Sequence, residues 1–171
     1  MQAESPLGST HIISRPMPAK SLATPIDRAA VLTRLQRVRP ETRPQWGRMT
    51  APQMICHLTD SFRSIMGERP SSSPPPVIPR WRQRLMKLVA LQLPFPWPHG
   101  VKTRPEVDQE RGGTPPQHFE ADVAQLVQAC ERFAAGRGSR GPHFLFGPLS
   151  DDEWARWGYK HMDHHLRQFG M

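Results

Sequence analysis

Twenty prolines decide where this chain can be helical. Inside a helix a proline removes a backbone donor and clashes with the preceding turn, so it is tolerated only in the first turn. Most of the twenty gather in residues 1–24, 70–79 and 93–116. Between and beyond those segments the apolar residues recur at the three-to-four spacing of amphipathic helices.

Caps and stripes define five helices. Thr24 can cap the first, Pro25 suits its first turn and Pro40 stops it, which predicts a helix over 25–38. Its apolar face would be Ile26, Ala30, Val31, Leu35 and Val38. The second begins at Thr50, which with Gln53 has the capping-box pattern, and runs to about Met66 before Gly67. Its stripe is Met54, Leu58, Phe62 and Ile65. A third, over about 80–93, spaces Trp81, Leu85, Leu88 and Leu91 for burial. A fourth, over about 116–135, turns Phe119, Val123, Leu126, Val127, Cys130 and Phe133 inward, and GRGSRG (136–141) ends it with flexible turns. The last is opened by Ser150 and Glu153, a second capping box, and runs to the C-terminus.

No repeat and no strand-rich stretch competes, so the expected class is all-α, a four-helix bundle with long proline-rich loops. Residues 1–24 read as a disordered tail and 25–171 as one helical domain, in keeping with the length of 171. The crossover 93–116 carries Phe95 and Trp97, which suggests that it packs on the helices, where it either shapes a pocket mouth or seals the core.

The formal net charge of +8 is spread along the chain rather than massed in one block, which favours a solvated basic surface over a nucleic-acid site. No nucleic-acid motif is present, and no specific nucleic-acid partner is expected. The first twenty residues lack the continuous apolar run of a signal peptide, and the apolar run Leu85 to Leu93 is broken by Lys87 and Gln92, so no membrane association is expected. Two cysteines, Cys56 and Cys130, are too few for a disulfide framework; buried free thiols in a reducing cytoplasm fit them best.

The chemistry concentrates in eight histidines. His161 and His165 are four apart, so both leave one face of the last helix on consecutive turns and can reach one metal ion. The same spacing also describes a polar face of solvated histidines. Trp154, Trp157 and Phe169 beside the pair argue that it points partly inward, where buried imidazoles need partners. His57, at the edge of the second helix's stripe, supplies a third imidazole from a facing helix. Three imidazoles leave an open position, the arrangement of a catalytic ion, and suit Zn, Ni, Fe or Cu better than Mg or Ca. Asp60, one turn past His57, Asp163 and His164 are candidates for proton transfer or for orienting a ligand, and Arg167 for an anionic group. For Asp163 and Arg167 a solvent-facing role stays open.

The segments WGRMTAPQMICHLTDSFR (46–63) and FGPLSDDEWARWGYKHMDHHLRQFG (146–170) resemble the two signature segments of the DinB-like superfamily of four-helix-bundle metalloproteins. Within it the chain is most similar to a branch known only as a domain of unknown function, which LPFPWPHGVKTRPEVDQ (93–109) and GGTPPQHFEADVAQL (112–126) also resemble. The resemblance covers about 26–171 and implies that His57, His161 and His165 bind a divalent metal ion. It further implies a metal-dependent transferase or hydrolase of small molecules, since relatives include transferases that use small thiol cofactors and a mycothiol-dependent maleylpyruvate isomerase. Many relatives read H-H-R-G-Q where this chain has His164-His165-Leu166-Arg167-Gln168, a variant shared by the branch. The expected partners are a small-molecule substrate, a small thiol cofactor and, at most, a second copy of the chain as a homodimer. The alternative is a non-catalytic metal-binding or stress-response module of the same fold.

Overall fold

The computed structural model describes residues 19–70, 74–136 and 140–171. Within them the chain is all-α. Five helices, α1 (Pro25–Leu35), α2 (Ala51–Ile65), α3 (Arg80–Lys87), α4 (Phe119–Ala135) and α5 (Asp151–Gln168), are joined by irregular segments, and the described residues form no strand. Most of the expected tail, residues 71–73 of the proline-rich connection and residues 137–139 of the glycine-rich turn lie outside the described residues.

Both capping boxes form. Thr50 N donates to Gln53 Oε1 at 2.8 Å, and Ser150 N donates to Glu153 Oε2 at 2.9 Å, each hydroxyl receiving a backbone donor in return. These contacts satisfy donors that a helix start leaves orphaned, and they fix where the two histidine-bearing helices begin. α2 packs along α4, α1 along α5, and α2 meets α5 near the histidines. The core between them holds Met54, Leu58 and Phe62 of α2, Leu126 and Phe133 of α4, and Trp154, Met162 and Leu166 of α5. Among the described residues no helix is long and apolar enough to cross a membrane.

Two expectations need correction. The tail does not extend to residue 24: Leu22 is fully buried, and its N–H donates to Ala155 O of α5 at 3.1 Å. A leucine flanked by Ser, Ala and Thr carries no period, so sequence patterning is blind to a single anchoring residue. The third helix is also shorter than expected, with α3 ending at Lys87 and the chain widening into a π turn over Leu88–Gln92. Of its stripe only Leu91 is buried, while Trp81, Leu85 and Leu88 stay more than half exposed. Helical spacing shows which residues share a face; whether another element covers that face is decided elsewhere in the chain. Ile26 of α1 is exposed for the same reason.

The crossover after the π turn lies against the helices. Trp97 Nε1 donates to Ala90 O at 2.9 Å, and Lys160 Nζ on α5 donates to Leu93 O at 2.7 Å. Farther along, a short 3-10 turn (Pro105–Val107) packs on α2.

Candidate metal centre

α2 and α5 bring His57, His161 and His165 into one buried group, with one nitrogen from each ring within 4.8 Å of the others. The Nε2 atoms of His57 and His161 are 3.2 Å apart. Two nitrogens each at roughly 2.0–2.1 Å from a tetrahedral ion stand about 3.3 Å apart, so the observed spacing suits a shared cation.

Two of the three rings are oriented from behind. His57 Nδ1 donates to Val107 O at 2.7 Å, which leaves the lone pair on Nε2, facing His161. His165 Nδ1 lies 2.9 Å from Gln168 Oε1. Because Gln168 Nε2 donates to Trp46 O at 2.9 Å, the amide presents its oxygen to the ring, so His165 also carries its lone pair on Nε2. His161 Nδ1 is buried with no hydrogen-bond partner among the described residues. Such hydrogen bonds from behind a ring are how proteins fix a ligating tautomer.

Burial holds all three rings below the ordinary imidazole range, His161 and His165 well below it, with the neighbouring imidazoles adding to the effect for those two. They are therefore neutral near pH 7, the form that ligates a metal. Three buried neutral imidazoles of this arrangement could hold a metal ion.

The triad opens into a cleft of about 1100 Å³ bounded by α2, α3, the crossover and the turn at 141–146. Rings crowd the floor: the centroid of His161 is 4.8 Å from that of Trp157 and 5.9 Å from that of Trp97. Trp97 therefore lines the cleft, and the reading that it only seals the core is set aside.

The structure distributes the other expected site residues unevenly. His164 lines the cleft beside His165, ring centroids 5.1 Å apart. Asp60 is buried elsewhere, and its two oxygens accept from Arg69 Nη1 at 3.1 Å, Thr114 N at 2.7 Å, Thr114 Oγ1 at 2.8 Å and Gln109 Nε2 at 3.3 Å. With its oxygens so occupied it ties the crossover to α2. Asp163 pairs with Arg34 of α1 at 2.6 Å, joining α5 to α1 away from the cleft. Arg167 is exposed, and the cleft lining does not include it. Asp163 and Arg167 stand two residues from a ligand histidine and so leave other faces of α5, whereas Asp60, three past His57, is held by its partners on the crossover.

Sequence reasoning passed over Gln168, Arg69 and Val107. Gln168 was within reach, three residues past His165 and so on the same face. Arg69 donates to Glu106 O at 2.9 Å as well as to Asp60, and so holds the segment whose Val107 carbonyl orients His57. Nothing local in the sequence announces that role. Burial pushes the pKa of the Cys56 and Cys130 thiols up to about 12, and neither cysteine is a member of the histidine group.

No curated protein and no solved structure matches the chain. A family described as "Protein of unknown function (DUF1569)" matches residues 78–170, more than half of the chain and the part that contains His161, His164 and His165. The chain belongs to this family of proteins of unknown function, DUF1569.

Proposed function

We propose that this protein is a metal-dependent enzyme of the DinB-like superfamily, a transferase or hydrolase acting on a small molecule. In this reading α1, α2, α4 and α5 are the four helices of the bundle, and His57, His161 and His165 hold one divalent ion: Zn, Ni or Fe. The observation that carries it is the 3.2 Å approach of two buried imidazole nitrogens from different helices, with the His57 lone pair turned inward by the Val107 carbonyl. An ion held there supplies Lewis acidity and, with water or a small thiol as a further ligand, a nucleophile near neutral pH.

The chain's own residues do the rest. The Val107 carbonyl and Gln168 orient two of the rings. Trp97 and Trp157 give the triad an aromatic floor at the base of the cleft. Of the three residues expected to move protons, His164 alone lines the cleft, and we assign it that role. Among the described residues no fourth histidine, cysteine or carboxylate joins the three, which favours an open coordination position over a closed, structural one.

The test is elemental analysis of protein supplied with Zn, Ni and Fe, wild type beside His161→Ala. Near-stoichiometric metal in the wild type that is lost in the variant supports the reading. A wild-type protein that takes up none of the three removes it. Screening the loaded protein against thiols and electrophiles would then separate an enzyme from a non-catalytic module.

A further inference from the structure

We infer that the cleft takes an amphiphile: one ligating head at the histidines and an uncharged apolar tail of several carbons running to the mouth. The head rests on the metal reading above; the tail does not.

Size is the first argument. At about 1100 Å³ the cleft is at the upper end of drug-sized ligand pockets. A water or a simple thiol would fill a small fraction of it. The walls are the second. Among the described residues eight large apolar side chains are left exposed, and four of these, Leu85, Val89, Phe95 and Val101, line this cleft. Apolar surface concentrated at a concave mouth marks a binding site rather than scattered surface residues.

Charge is the third argument, and it speaks to the tail's chemistry. The acidic side chains of the lining are each matched by a cation: Arg104 with Glu106 at 2.6 Å, Arg48 with Glu110 at 3.6 Å, and Asp108 with Arg111 at 3.5 Å. Lys102 is the one lining cation without an ion pair among the described residues. A polyanionic body such as a nucleotide would meet only Lys102 as an unpaired cation among the described residues, whereas an apolar chain meets the exposed faces of Leu85, Val89, Phe95 and Val101.

The experiment uses the full-length, zinc-supplemented protein and two homologous probe series, n-alkyl hydroxamates and n-alkyl primary amides from butyl to octyl, titrated calorimetrically. The hydroxamate head chelates metal; the amide head does not. The expected result is that each added methylene lowers Kd roughly fourfold in both series, that the hydroxamates bind more tightly at every length, and that His161→Ala abolishes this gap while keeping the slope. Phe95→Ser and Val89→Ser replace exposed residues, so the fold is not at stake, and together they should weaken the octyl probes by about tenfold. A Kd independent of chain length overturns the tail, as does a slope unchanged in the double variant. A slope without any gap between the heads upholds the tail and overturns the metal reading, so the two failures are told apart.

Discussion

Gln168 Oε1 accepts the Nδ1 proton of His165 at 2.9 Å while Gln168 Nε2 donates to Trp46 O, also at 2.9 Å. The amide thereby links the end of α5 to the segment before α2, and the backbone repeats the link, Gln45 N donating to Gln168 O at 2.7 Å. One buried side chain sets both the tautomer and the orientation of a proposed ligand. Removing such a contact behind a ligating ring typically weakens metal binding by roughly 10–100-fold. Gln168→Leu should therefore lose zinc affinity within that range by chelator competition, while Gln168→Glu, which keeps an acceptor, should recover part of it. Unchanged affinity in Gln168→Leu would show that His165 needs no such support.

Asp60 and Asp163 looked alike in the sequence, each an acid close to a histidine, yet the structure gives them different weights. Asp60 is fully buried among four donors from Arg69, Gln109 and Thr114, whereas Asp163 makes a partly exposed pair with Arg34. Breaking a buried pair strands its partners and costs about 3–5 kcal/mol. A partly exposed pair is worth about 1 kcal/mol or less. Urea unfolding should place Asp60→Ala well below wild type and Asp163→Ala close to it. Equal losses in the two variants would contradict this assignment of Asp60 as the anchor of the crossover.

The contrast between those two acids shows what the sequence made legible. Helix starts were readable because a capping box is written within four residues, as at Thr50 with Gln53 and Ser150 with Glu153. The inward turn of His161 and His165 was readable because the apolar stripe of α5 runs beside them. The partners of Asp60 were not, since Gln109 and Thr114 lie about fifty residues away and reach it only through the path of the crossover. The exposure of Trp81 and Leu85 was hidden for a related reason: α3 has a helical stripe, and no element among the described residues covers it.

Leu22 is the clearest case of a residue that local patterning discards. It fills a notch on α5 where Gly158 has no side chain; a Cβ on Gly158 would come within 2.7 Å of Leu22 Cδ1 and 2.8 Å of Phe133 Cε1. Arg28 Nη1 donates to the Leu22 carbonyl at 2.6 Å, fixing the approach. Truncating a fully buried leucine costs about 2–5 kcal/mol. Leu22→Ala should show that loss in urea or thermal unfolding, whereas Ile26→Ala, four residues on but exposed, should stay within about 0.5 kcal/mol of wild type. If both variants are neutral, residues 19–24 do not belong to the folded unit.

His143 predicts how the fold responds to acid. It is buried, and its Nδ1 accepts from Leu145 N at 3.2 Å and from Phe146 N at 3.3 Å, closing the turn before α5. Its ring stacks on Phe146 with centroids 4.4 Å apart. Protonating Nδ1 would set an N–H against two N–H donors in an apolar site. Burial, helped by the positive charge of Arg104, accordingly lowers its pKa to about 3. Above the ordinary value of 6.5 the imidazole is neutral in both states and adds no pH dependence. As pH falls below 6.5 the unfolded chain takes up the proton and the folded one does not, so stability declines down to about pH 3, where the folded state is protonated too. The slope is at most about 1.4 kcal/mol per pH unit for this one group. His143→Asn keeps a side-chain acceptor for a turn N–H but cannot take up a proton. Its unfolding free energy, followed from pH 7 to pH 4, should therefore fall by about one proton's slope less than that of wild type. Parallel curves for the two proteins would place the acid sensitivity elsewhere.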